Sequence, residues 1–95
     1  MIEKRFFVYI LMSANGMLYI GVTSNLENRV QEHKNGVKSG FASKFQINKL
    51  VWFEEAGSAE SAILREKQLK KWSRGKKMNL VLESNPELAD LAASW

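Results

Sequence analysis

Two short apolar runs lie near the start of the chain, Phe6-Phe7-Val8-Tyr9-Ile10-Leu11 and Met17-Leu18-Tyr19-Ile20-Gly21-Val22, with Asn15-Gly16 between them. Both are rich in β-branched and aromatic residues, and Asn-Gly between such runs is a strong hairpin signal. Loop length decides which side chains share a face. With a two-residue loop, Asn15-Gly16, Ala14 faces Met17, and Tyr9 and Tyr19 project from opposite faces. With a three-residue loop, Ala14-Asn15-Gly16 closed by a left-handed Gly16, Ser13 faces Met17, Tyr9 pairs with Gly21, and Tyr19 pairs with Leu11. Both phenols then lie on one face. The second register is favoured, because two tyrosines beside a glycine without a side chain leave room for something to dock.

The pattern then changes period. Ser24-Asn25-Leu26-Glu27 reads as a capping box that opens a helix to about Asn35, where Asn35-Gly36 ends it. Residues 36–48 read as an irregular polar loop, and Lys49–Glu54 as a third strand. Gly57-Ser58 opens a second helix over about 59–72, with Gly75 as its stop, and Lys76–Leu82 form a short third helix. A last helix is expected from Asn85 as N-cap with Pro86 in its first turn, burying Leu88, Leu91, Ala92 and Trp95. The order ββαβααα implies an α+β fold, a small three-stranded antiparallel β-sheet flanked by helices, in a single domain over 1–95.

Some charged residues fall where apolar ones are expected. On the first helix Leu26, Val30 and Val37 define the inward stripe; His33 projects into its middle and Arg29 at its edge. On the second, Ala59, Ala62, Ile63 and Leu69 face inward, with Glu66 near the centre. Each has an ordinary structural reading: packed tyrosines with satisfied hydroxyls, a packed histidine, a buried Arg29–Glu66 ion pair. Together they make a coherent set for cutting a phosphodiester. That reaction needs a cation on the phosphate, a positive group for its equatorial oxygens, and a base for the attacking water.

Composition narrows the partners. The 95 residues carry a net charge of +4, and seven of the fourteen basic ones fall between Arg65 and Lys77, against the single acid Glu66. Such a stripe is the footprint expected for a polyanion. There is no cysteine, so neither disulfides nor thiolate metal sites enter. The apolar run Phe6–Met12 is too short to span a membrane and lacks a signal-peptide pattern, so a cytoplasmic location without membrane association is expected.

Val8-Tyr9-Ile10, followed ten residues on by Tyr19-Ile20-Gly21-Val22-Thr23, resembles the paired motifs of the GIY-YIG nuclease domain. Phe7 stands where the first motif has glycine and Val8 where it has isoleucine; the second motif is intact. Arg29 and His33 match the arginine and histidine of the family's following helix, and Glu66 matches its metal-binding glutamate. Residues 62–72 and Asn85-Pro86 look like the short stand-alone members found in bacteria.

The resemblance implies an endonuclease that hydrolyses DNA with one divalent cation, Mg²⁺ or Mn²⁺, in DNA repair or recombination. Glu66 would hold the metal, Arg29 would stabilise the phosphate, and Tyr9 or Tyr19 would position the water or take its proton, assisted by His33. A single carboxylate with waters and substrate phosphate suits Mg²⁺. Lys44, Lys67, Lys70, Lys71 and Arg74 would hold the backbone of nucleic acid, and the last polar position falls to Asn85 or to Asn79. Phe7 alternates with Tyr9 on one face, so it narrows the site without removing a catalytic group. The alternative is a nucleic-acid-binding module with weak or no catalysis, and a third reading is a protein-interaction domain that meets an acidic partner. Monomer and homodimer are both open.

Overall fold

A computed structural model describes residues 5–35 and 47–95. Val37, Lys44 and most of the expected 36–48 loop lie outside these residues. Three strands, β1 (Phe6–Met12), β2 (Leu18–Thr23) and β3 (Lys49–Ala56), form one antiparallel sheet in the order β2-β1-β3. Three helices flank it: α1 (Leu26–Lys34), α2 (Ala59–Lys70) and α3 (Arg74–Ser84).

The hairpin adopts the favoured register. Tyr9 faces Gly21 and Leu11 faces Tyr19. The loop closes through Ser13, whose N–H donates to the Met17 carbonyl at 3.0 Å and whose hydroxyl accepts from the Met17 N–H at 3.0 Å. Gly16 turns the chain at φ +89, a backbone region that side chains resist.

Alternation along β1 builds two cores. Val8, Ile10 and Met12 pack with Ile20, Ala62, Leu69 and Val81, beneath α2 and α3. Tyr9 and Leu11 pack with Leu26, Val30, Ile47, Leu50 and Ala92, beneath α1. A bulge in β3 makes Leu11 face Leu50 directly after Ile10 faces Trp52, leaving Val51 as the extra residue. Consecutive residues Val51 and Trp52 therefore both enter the first core, which strict alternation forbids.

The helix ends depart from expectation in detail. The cap of α1 is Asn25 rather than Ser24: its side chain accepts from the Asn28 N–H at 3.1 Å, because Thr23 Oγ1 holds the Asn25 N–H at 3.1 Å and turns the chain one residue later. The second helix ends at Lys71, close to the expected 72 but short of the Gly75 stop, because Ser73 caps a new helix by accepting from the Lys76 N–H at 3.2 Å. Gly75 thus lies in the first turn of α3. On α2, Ala62 and Leu69 are buried as expected, whereas Ala59 and Ile63 are exposed.

The expected last helix does not form, so the order among the described residues is ββαβαα. Asn85 is the C-cap of α3 and ties the tail down. Its amide donates to the Val51 carbonyl at 3.1 Å and the Ala89 carbonyl at 2.9 Å, and its oxygen accepts from the Ala89 N–H at 3.0 Å. An asparagine so committed offers the backbone a turn in place of a helix, and Pro86 ends α3 by disfavouring helical geometry at Asn85. Leu88 packs on the core beneath α2 and α3 while Ala92 packs beneath α1, so the tail wraps around the β3 edge. Leu91 and Trp95 stay largely exposed.

Asp90 fastens the far side. It pairs with Lys34 at 2.5 Å and accepts from the Leu50 and Ala92 N–H groups. Desolvation pushes its carboxyl up, but the hydrogen bonds from Lys34, Ala92 and Leu50 together hold it below 3.8.

Asn85→Ala would strip a partner from the buried Val51 carbonyl and from the Ala89 carbonyl and N–H. About 2–4 kcal/mol of stability should go with them, read as a lower urea midpoint at unchanged m-value. Binding of nucleic acid by the folded variant should not change; a selective loss would return Asn85 to the ligand site.

Candidate active site

The site is built on the hairpin register. Tyr9 and Gly21 are cross-strand partners, and the Tyr9 ring lies against Gly21 where any other residue carries Cβ. A Cβ at Gly21 would sit 2.5 Å from Tyr9 Cζ and 3.0 Å from Cε1. Glycine here is a seat for a ring, and the intact second motif is explained by that close approach.

Around the seated ring the groups converge. Tyr19, two strand positions from Gly21, brings its ring to 6.4 Å from that of Tyr9. His33, buried on α1, lies with its ring 6.3 Å from Tyr9 and 5.5 Å from Tyr19, its Nε2 3.5 Å from the Tyr9 hydroxyl. Arg29, one turn earlier on α1, lies close enough for its positive charge to act on the same phenol. Glu66 reaches in from α2, which packs mainly on β1 and β2, closely enough for its charge to act on Tyr9. Its side chain is only 20% exposed and pairs with Lys70 at 3.4 Å.

Burial, the neighbouring Tyr19 and the Glu66 carboxylate raise the Tyr9 pKa to about 12, against the opposing pull of Arg29. At neutral pH Tyr9 is therefore a phenol, able to donate and accept hydrogen bonds but unsuited to act as a base. A raised pKa stabilises the fold below the unfolded value of 10.0, and that contribution fades as pH rises towards 12. Tyr9→Phe should thus unfold with a shallower pH dependence than wild type between about pH 10 and 12, by about 2–3 kcal/mol overall. Parallel urea titrations across that window test it; identical slopes would mean that Tyr9 is not held protonated.

The five catalytic candidates thus share one neighbourhood. The proposed phosphate contacts do not all join them. Lys67 and Lys71 are exposed, and Lys70 is paired with Glu66. Arg74 donates from Nη1 to the Gly16 carbonyl at 2.6 Å, so it clasps the hairpin loop. Asn85 is 5% exposed, with its side-chain amide committed to backbone groups. Asn79 is exposed.

Sequence reading passed over Glu32. It lies 3.4 Å from Arg29 Nε and accepts from Asn28 at 3.3 Å, so it braces the arginine. The i, i+3 spacing of opposite charges on α1 was the available signal. A second omission is Trp72, with Lys76 Nζ 4.3 Å and the Arg65 guanidinium 5.5 Å from its ring centre. Arg65 is further held by Glu54 at 3.2 Å, which takes it out of the free part of the basic stripe.

Residues 5–79 match the GIY-YIG catalytic domain. The chain belongs to the GIY-YIG family. Among GIY-YIG relatives, a UPF0213 protein of Syntrophus aciditrophicus is 40% identical over 82 residues, covering 85% of this chain and 93% of that protein. Another from Clostridium perfringens is 37% identical over 75 residues, covering 79% and 81%. The solution NMR structure of a UPF0213 protein from Bacillus halodurans superposes with a TM-score of 0.59 at 27% identity, over 95% of this chain and 97% of that one. The sheet and helices described above are therefore those of a GIY-YIG domain. Among the described residues no helix is long and apolar enough to cross a membrane.

Proposed function

We propose that this chain is a divalent-metal-dependent endonuclease that hydrolyses phosphodiester bonds in DNA and serves DNA repair or recombination. The observation that carries the reading is the Tyr9 phenol seated on Gly21, with His33 at its hydroxyl and the Arg29 and Glu66 charges in electrostatic reach.

Among the described residues no group of three or more His, Cys, Asp or Glu is gathered. The donor set is one half-buried carboxylate, Glu66, and that fits a hard cation that keeps most of its waters, Mg²⁺ or Mn²⁺. When bound, such an ion polarises the phosphate and stabilises the departing oxygen. Arg29, braced by Glu32, bears on the equatorial oxygens as charge builds there. Tyr9, neutral at pH 7, orients water or phosphate by hydrogen bonding. Proton removal falls to His33, with the half-buried Tyr19 ring beside it. The water oxygen bonds to phosphorus, the bond to the leaving oxygen breaks, and that oxygen ends protonated.

Lys67, Lys70 and Lys71 supply backbone contacts that are blind to sequence and weaken steeply with salt. The test is nicking of supercoiled plasmid by purified protein in Mg²⁺ and in EDTA. Cutting confined to the metal arm supports the reading. Salt-sensitive binding without cutting would move the assignment to a binding module, an outcome that Phe7 in the first motif makes worth testing.

A further inference from the structure

Three aromatic rings run across the same sheet face as the Tyr9 site and are not consumed by it. Phe53, the cross-strand partner of Tyr9 on β3, lies at 6.3 Å from Phe7 and at 6.3 Å from Trp95, both edge to face. Phe53 and Trp95 are each 41% exposed, and the Arg5 guanidinium lies 5.4 Å from the centre of the Phe7 ring. Leaving this much ring surface in water forgoes a substantial part of the burial energy an aromatic side chain can gain.

Resting on the nuclease reading above, we infer that Phe53 and Trp95, with Phe7 beneath them, form a stacking platform for an unpaired nucleobase next to the scissile phosphate. The occupant follows from position and chemistry. Adjacent strands lie about 4.8 Å apart, so a nucleotide whose phosphate rests at Tyr9 and Arg29 has its base within reach of Phe53 one strand over. Flat rings, two on strands and one on the tail packed beside them, with a guanidinium at one end match the stacking surfaces that bind bases irrespective of sequence. A base still paired within a duplex keeps its faces stacked on its neighbours and cannot use them. The platform therefore selects strands with unpaired bases: single strands, gaps, or the open centre of a branched substrate.

The experiment measures binding in EDTA, so that cutting cannot interfere, by anisotropy of a labelled single strand of about 12 nucleotides and of the blunt duplex of equal length. Wild type, Phe53→Leu and Trp95→Leu are compared; leucine keeps apolar bulk and removes the ring. Gln31 holds Trp95 through its backbone carbonyl, so that anchor survives the substitution. Each variant should bind the single strand roughly five- to fifty-fold more weakly and the duplex within about twofold of wild type. Unchanged single-strand binding overturns the platform, as does an equal loss on both ligands. If Phe53→Leu melts early by circular dichroism, Trp95→Leu decides alone. Wild type that binds neither ligand sinks the nuclease reading itself; wild type that binds both, with variants indistinguishable from it, sinks only the platform.

Discussion

Glu66→Gln is expected to cut DNA at least about 10²-fold more slowly than wild type in Mg²⁺ while binding it equally well in EDTA. Glutamine keeps the shape that α2 presents to the sheet, so the fold has no reason to change. The lost partner of Lys70 is a pair with that lysine 56% exposed, which contributes little. What disappears is the one carboxylate whose charge reaches Tyr9. That supplies a second readout: with the negative charge gone, the Tyr9 phenol should titrate at lower pH, followed by its ultraviolet absorbance. Undiminished cutting alongside a lowered phenol pKa would remove Glu66 from the chemistry while keeping it in the site.

Gly21→Ala should be the most disruptive single-methyl change in the molecule. The added Cβ would meet the Tyr9 ring at 2.5 Å from Cζ, and Tyr9, at 1% exposure, has nowhere to swing. Overpacking of this kind costs about 1–3 kcal/mol, a fall in Tm of several degrees for a domain of this size. The larger effect falls on activity, because a displaced ring takes its hydroxyl away from Arg29 and His33. Gly57 and Gly75 are the controls: a Cβ at either meets nothing within 4 Å, and alanine there should leave both Tm and activity near wild type. If Gly21→Ala retained wild-type cutting, the seated ring could not be the organising feature of the site.

Much of the site was legible because local chemistry and pairing register point the same way. Asn15-Gly16 demanded a tight turn, and a three-residue loop places Tyr9 on Gly21 and both phenols on one face, as observed. Helical spacing then put Arg29 and His33 one turn apart above them. Legibility failed where a side chain answers to partners far away in sequence. Asn85-Pro86 has the local look of a helix start, yet Asn85 is engaged by Val51, thirty-four residues earlier, and the expected helix is replaced by a wrapped tail. The bulge at Val51 leaves no mark on hydrophobicity, since both residues it displaces are apolar. Arg74 read as one more cation of a stripe, and only the folded chain brings it to Gly16. Ser73 was a missed local signal: a capping serine between two helices that Gly75 seemed to separate.

The wrapped tail also bears on what this sheet can join. β3 is an edge strand, and its Leu50 would otherwise offer an unused carbonyl and N–H to any passing strand. Leu91 donates to that carbonyl at 2.8 Å and Asp90 accepts from that N–H at 3.2 Å, while Asn85 occupies the carbonyl of Val51. The last eleven residues thus plug the Leu50–Val51 stretch of that edge, filling from within the chain positions at which another strand would otherwise pair.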